Sequence, residues 1–174
     1  MALLEVCVDC LESAKNAAES GAARLELCSA LSLGGLTPSA GLLRAVKRQI
    51  KTPAFVMIRS RHGDFVYDDD EIEVMRDDVT ALKESGADGF VFGVLNRDAS
   101  VNQAACRVLL EAAHPLPCTF HRYLIRIYWP PSPLPPPPPL PTRLLKSIST
   151  EGSKKRMEKT GFVIFYFCWL KRLD

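Results

Sequence analysis

Two of the six cysteines in this chain of 174 residues, Cys7 and Cys28, have a spacing that could serve metal chemistry. Each falls in a short segment typical of a strand, residues 3–8 and 24–28, on the face opposite the main apolar side chains. Thiolates are soft ligands that suit Cu(I) or Zn(II); two suffice for low-coordinate Cu(I), whereas a structural zinc takes about four ligands. The alternative is that both thiols are small buried hydrophobic groups, as free cysteines often are.

Carboxylates accompany these thiols on the same predicted strand faces. Glu5 and Glu26 alternate with the apolar residues as the two cysteines do. Two neighbouring carboxylates could act as a general acid and a general base. The alternative is that they balance the charge of Arg24, Arg59 or Arg61 inside the mouth of a barrel. The sequence leaves both alternatives open.

The other polar candidates follow later strands. Arg59, Arg61 and Asp64 lie in a loop after a predicted strand, where they could hold an anionic substrate or pair with one another. His121 lies in the last predicted strand and could be a metal ligand, a proton shuttle or a hydrogen-bonded lining residue. No residue can be assigned a catalytic role on this basis. The candidate pocket consists of Glu5, Glu26, Arg59, Arg61, Asp64 and His121.

Alternating strands and helices position these residues. The pattern predicts strands at 3–8, 24–28, 54–58, 89–95 and 118–122, and helices at 11–20, 38–50, 68–85 and 102–113. For the second helix, Thr37 is predicted as the N-cap with Pro38 at the first helical position. Strict alternation with short connections is typical of parallel βα units.

The periodicity within the strands favours a barrel over an open doubly wound sheet. In the first strand Leu4, Val6 and Val8 share one face, and the polar face carries Glu5 and Cys7. A central strand of a doubly wound sheet is covered on both faces and should be apolar throughout. A complete (β/α)8 barrel needs about 250 residues and eight strands. We therefore predict an α/β fold, an incomplete (β/α)8 TIM barrel of about five βα units.

The sequence changes character after Arg122. Residues 1–122 hold 13 basic and 17 acidic side chains and residues 123–174 hold 9 and 3, which gives net charges of −4 and +6. Nine of the 13 prolines fall within 130–141 and predict a polyproline II segment. We expect a partial barrel over 1–122 and a disordered or loosely packed tail over 123–174. Pro138 to Arg143 fits the P-x-x-P-x-R pattern of SH3 ligands, so an SH3-binding adaptor is a competing hypothesis, although such patterns arise readily in proline runs.

Composition also bears on location and partners. The N-terminus lacks the basic and apolar regions of a signal peptide, so we expect reduced thiols and a cytosolic protein. The longest apolar run, residues 162–170, is much shorter than the roughly 20 residues of a membrane helix. The first 122 residues contain no basic patch, which gives no reason to expect nucleic-acid binding.

Five motifs in residues 1–122 together resemble the CutC copper homeostasis family. They are Glu5-Val-Cys-Val-Asp9, Ala23-Arg-Leu-Glu-Leu-Cys-Ser29, Gly34-Gly-Leu-Thr-Pro-Ser39, Arg59-x-Arg61-x-Gly-Asp-Phe-x-Tyr67 and Thr119-Phe-His-Arg122. The resemblance implies a TIM barrel, a cytosolic and in part nuclear location, homo-oligomers and a link to copper tolerance. It also implies Cu(I) binding at Cys7 and Cys28, with no established catalytic reaction. A barrel enzyme of unknown substrate that uses the Glu/Arg/His mouth is the alternative. After Arg122 the family pattern does not continue, which suggests a truncated isoform.

Overall fold

The structure, a computed structural model, describes residues 4–120. Several predicted features lie outside these residues. They are His121, the end of the last predicted strand at Arg122, the SH3-ligand pattern from Pro138 to Arg143, and the apolar run at 162–170.

The described chain alternates five strands with four helices, as the sequence pattern predicts. The elements are β1 (Glu5–Val8), α1 (Leu11–Glu19), β2 (Arg24–Leu27), a 3-10 turn (Leu31–Leu33), α2 (Ala40–Gln49), β3 (Ala54–Met57), α3 (Asp69–Glu84), β4 (Gly89–Phe92), α4 (Gln103–Ala113) and β5 (Cys118–Phe120). None of the helices within residues 4–120 has the length and apolar character that a membrane span requires.

The strand order distinguishes the two architectures. All four strand pairs are parallel, and the order across the sheet is β1-β2-β3-β4-β5, so each strand pairs with its predecessor in the chain. A doubly wound sheet reverses direction at a switch point, whereas a barrel adds its strands in sequence order. The five-stranded sheet is therefore part of a (β/α)8-type barrel, which confirms the predicted fold class.

The apolar core lies between the outer face of the sheet and the helices. From the strands it includes the fully buried Leu25, Val56 and Phe90. Helices α2 and α4 contribute side chains such as Leu43 and Leu109. Covering one face of each strand with helices leaves the alternate side chains on the inner face, where the predicted site residues of β1 and β2 lie.

Side-chain caps fix where the helices begin, and one of them differs from the prediction. The second helix is capped by Ser39, whose hydroxyl accepts the backbone N–H of Leu42 at 3.1 Å. Thr37 was predicted for this role, but its hydroxyl accepts the backbone N–H of Arg59 at 3.0 Å. Thr37 thus joins the loop after β2 to the end of β3, and the helix begins two residues later than predicted.

Candidate functional site

The two candidate thiols lie on neighbouring strands and on the same side of the sheet. Cys7 in β1 is the direct parallel partner of Glu26 in β2, and Cys28 follows Glu26 by two residues. Side chains two residues apart on a strand share a face, so Cys7, Glu26 and Cys28 all belong to the inner face. Cys7 is 6% exposed and Cys28 is fully buried. The Cys28 thiol lies 3.6 Å from the carbonyl oxygen of Val8.

The environment of this pair favours protonated thiols. Burial raises the pKa of Cys28 to about 12, and the negative charges of Glu26 and Asp9 add to the effect. Burial also raises the pKa of Cys7 far above its ordinary value, with further contributions from Glu26, Cys28 and Glu5. Both thiols are therefore neutral near pH 7. A metal ion that binds them as thiolates must displace their protons.

A thioether lies beside Cys28, which sequence reasoning missed. Leu27 pairs with Val56, so the next residues, Cys28 and Met57, continue neighbouring strands on the inner face. A Cβ added at Gly35 would lie 2.7 Å from the Met57 sulfur and 3.3 Å from Cys28 Cβ. These two side chains therefore flank the same glycine. Methionine sulfur is, like thiolate, a soft ligand suited to Cu(I).

The carboxylate of Glu5 is held by an arginine. Arg24 Nε and Nη2 donate to the two Glu5 carboxylate oxygens at 2.7 Å each, which is a bidentate pair. The Arg24 guanidinium also stacks 4.1 Å from the ring centroid of Phe55. This arrangement favours the charge-balance interpretation of Glu5 over acid/base work with Glu26. A general acid or base must be able to reach its substrate, whereas the two hydrogen bonds from Arg24 hold the Glu5 carboxylate in place.

Arg59 lies at the carboxyl end of β3 and is buried, with 6% exposure. It binds backbone carbonyls rather than the carboxylates considered in the sequence analysis. Its Nη1 donates to the oxygens of Leu33 and Gly35 at 3.1 Å, and its Nη2 donates to Gly63 at 2.9 Å. Its guanidinium stacks 4.7 Å from the Phe65 ring centroid. Arg59 thus joins the loops after β2 and β3.

Arg61 and Asp64 pair with each other, one of the two alternatives open from the sequence. Arg61 Nη1 lies 3.0 Å from the Asp64 carboxylate, and its Nε donates to Glu71, whose side chain also accepts the backbone N–H of Asp68, the N-cap residue of α3. The hydrogen bond from Arg61 holds the pKa of Asp64 below its ordinary value. Arg61 therefore stabilises the loop and the start of α3, and it has less capacity for a substrate anion.

The inner face brings some predicted residues together and separates others. Glu5, Cys7, Glu26 and Cys28 form one group, whereas Arg61 and Asp64 form a separate surface group, and His121 lies outside the described residues. Neither Met57 nor Tyr67 is among the site residues predicted from the sequence, although Tyr67 ends one of the family motifs. The alternation of β3 could have indicated Met57, because it lies two residues from both Phe55 and Arg59 and therefore shares their face of the sheet. Within residues 4–120 no three side chains of His, Cys, Asp or Glu form a metal-binding cluster.

The chain is similar to known proteins over the described residues. The model of the CutC family matches residues 2–128. The copper homeostasis protein cutC homologs of Homo sapiens and Drosophila melanogaster are 52% and 54% identical over 74% and 68% of this chain. Those alignments cover 47% and 46% of the two relatives, so the chain spans about half the length of the curated relatives it matches.

A solved structure gives the same result. The crystal structure of a CutC protein from Streptococcus agalactiae superimposes with a TM-score of 0.66 at 34% sequence identity. The alignment covers 70% of this chain and 59% of the bacterial chain. The matched family model spans well over half of the sequence, and the folds agree. The chain belongs to the CutC family.

Proposed function

We propose that this chain takes part in copper homeostasis by binding Cu(I) through the thiols of Cys7 and Cys28. The observation that carries the proposal is the placement of two buried thiols on one face of neighbouring strands. The relatives described above are named copper homeostasis proteins, which favours copper over other soft metals. The donor set fits, because Cu(I) accepts two thiolates whereas zinc requires more ligands.

The chemistry of loading follows from the protonated state of the pair. Each thiol releases its proton as it becomes a ligand, and two thiolates with one Cu(I) leave a net charge of −1 in a buried site. Glu26 lies directly beside this charge and opposes it. Burial protects the sulfurs from oxidation and excludes water. We expect such a site to bind Cu(I) reversibly rather than to hold it permanently.

The central experiment is a Cu(I) titration of the full chain under anaerobic conditions against a chromogenic Cu(I) chelator. We expect the double variant Cys7→Ser/Cys28→Ser to lose affinity by at least a hundredfold. The matched control is Cys10→Ser/Cys118→Ser, which removes the same number of thiols, and Ser at position 10 keeps the N-cap of α1. Equal affinity in the two double variants would refute the proposed site.

Met57 supplies a third soft donor in this proposal. Its sulfur lies next to Cys28 across Gly35, and replacing it with leucine conserves the volume of the side chain. We expect Met57→Leu to lower the Cu(I) affinity by roughly tenfold, the effect of one modest ligand bond. Unchanged affinity in Met57→Leu with a large loss in the cysteine double variant would establish a site with two thiolates alone.

A reducing compartment and self-association complete the proposal. Thiols of this kind stay available for Cu(I) where disulfides are reduced, which supports a cytosolic and partly nuclear location.

Among the described strands, β1 and β5 are outermost, and such edges favour pairing with a second copy. Light scattering after size exclusion should therefore give a homo-oligomer. A monodisperse monomer would contradict this part of the proposal.

A further inference from the structure

Arg59 carries a buried positive charge that no carboxylate neutralises within residues 4–120. Its three hydrogen-bond acceptors in that range are backbone carbonyls, which are neutral. None of the ion pairs between described residues includes it. Burying an unpaired charge costs far more than burying a neutral group. An arginine kept in this state is therefore placed to receive an anion.

Unused hydrogen-bond donors lie in the same loop. Among the described residues, three buried side-chain atoms have no hydrogen-bond partner: Arg59 Nε, the Ser60 hydroxyl and the Tyr67 hydroxyl. Arg59 and Tyr67 are both more than nine-tenths buried. Unpartnered buried donors are rare in folded proteins, and three of them within nine residues of sequence require an explanation.

The Tyr67 hydroxyl lies near the Arg59 guanidinium. Burial raises the pKa of Tyr67, whereas the positive charges of Arg59 and Arg61 lower it by a smaller amount. The hydroxyl is therefore protonated at neutral pH and able to donate a hydrogen bond. The phenol oxygen could accept from Arg59, but neither the Tyr67 hydroxyl nor Arg59 Nε has a hydrogen-bond partner among the described residues, so the O–H proton and the Nε–H are both unused. An acceptor between them would satisfy both.

The surrounding loops hold these donors in place. Thr37 binds the Arg59 backbone, Leu33 and Gly35 bind its Nη1, and Arg61 ties the following segment to α3. The donors lie past the carboxyl end of β3, the end at which barrels of this type place their ligands. A rigid set of donors of this kind is suited to a ligand with two oxygens.

We propose that Arg59 and Tyr67 form a binding site for an oxyanion, either a phosphate or a carboxylate, at the mouth of the barrel. Arg59 Nε–H and the Tyr67 hydroxyl each donate a hydrogen bond to one oxygen of the ligand. The site uses neither Cys7 nor Cys28, so it is independent of copper binding. It points to a phosphorylated or carboxylated small molecule as a second ligand of this chain.

Calorimetric titration of the full chain with inorganic phosphate, and separately with acetate, in Tris chloride buffer tests the proposal. Comparison of the two titrations at equal ionic strength distinguishes a phosphate site from a carboxylate site. We expect one of them to bind with saturation, and Tyr67→Phe to weaken that binding about tenfold, the value of one hydrogen bond to a charged group. Arg59→Gln should abolish it.

If the Arg59→Gln variant does not fold, the Tyr67→Phe variant still tests the proposal. Removing an unpartnered buried hydroxyl should leave thermal stability without anion unchanged or slightly higher. The matched charge control is Arg76→Gln, an exposed arginine on α3 that should bind the anion as the unmodified chain does. Absence of saturable binding by both anions, or equal binding by Tyr67→Phe, would overturn the proposal.

Discussion

Replacing Glu26 with glutamine should tighten Cu(I) binding, which is the opposite of what removing a ligand would do. The Glu26 carboxylate is, after burial, the largest influence that raises the pKa of both Cys7 and Cys28. Glutamine has the same shape without the negative charge. The Glu26→Gln variant should therefore release thiol protons more readily and repel the bound copper–thiolate unit less.

The magnitude follows from the spacing of the strands. Neighbouring strands lie about 4.8 Å apart, and two unit charges about 5 Å apart interact by about 3 kcal/mol at an effective dielectric constant of about 20. The apo thiols are neutral, and the loaded site carries about one negative charge, so this repulsion opposes the bound state alone. Removing it corresponds to at most about a hundredfold in affinity. Because relaxation of the site recovers part of this energy, we expect a gain of about tenfold to a hundredfold.

Competition with a Cu(I) chelator at pH 7 measures this change directly. The matched control is Glu84→Gln, which removes the same charge from an exposed position near the end of α3 and should leave affinity unchanged. Weaker binding by Glu26→Gln would mean that the carboxylate is itself a ligand. Unchanged binding would refute the electrostatic reasoning, because the copper could not then be close to the thiol pair.

Further predictions concern pH and the packing of the inner face. Both thiols stay protonated at neutral pH, so binding Cu(I) releases two protons. The apparent Cu(I) affinity should therefore rise about a hundredfold per pH unit between pH 6 and 8. A tenfold rise per pH unit would indicate that only one thiol is a ligand. Arg24→Met should lower the free energy of unfolding by about 3–5 kcal/mol in urea denaturation because it leaves Glu5 unpaired, and adding Glu5→Gln should recover most of the loss. Gly89→Ala should cost about 1–3 kcal/mol, because its Cβ would lie 2.6 Å from the Phe55 ring, whereas Gly41→Ala in α2 has room and should stabilise the chain by about 0.5–1 kcal/mol. Equal thermal stability of these two alanine variants would contradict the close packing at Gly89.

The strand periodicity was sufficient to predict the fold and the faces, because alternation is a local property of each segment. The alternation of Val6 with Cys7 indicated which side chains would meet helices and which would lie inside. The contacts between loops could not be predicted in this way. Thr37 looked like a helix cap, and only the approach of β3 shows that its hydroxyl is occupied by Arg59.

The choice among charged partners also depended on three-dimensional register. The sequence offered three arginines for Glu5, and the direct pairing of its strand position with Arg24 decides between them. Arg59 is two strands away, and its two terminal nitrogens donate to backbone oxygens instead. Every residue has a backbone oxygen, so the sequence does not indicate which of these oxygens an arginine will bind. That is why the joining of two loops by Arg59 could not be predicted from the sequence.

The consecutive order of the strands has a consequence for how this protein can vary. Because every strand is added beside the one before it, both sulfurs are contributed by the first two βα repeats, within the first sixth of the chain. Splicing or recombination downstream can therefore exchange later repeats without altering the two sulfurs of the proposed copper site. Products of different length would share a single ligand pair and differ in how well the rest of the molecule shelters it.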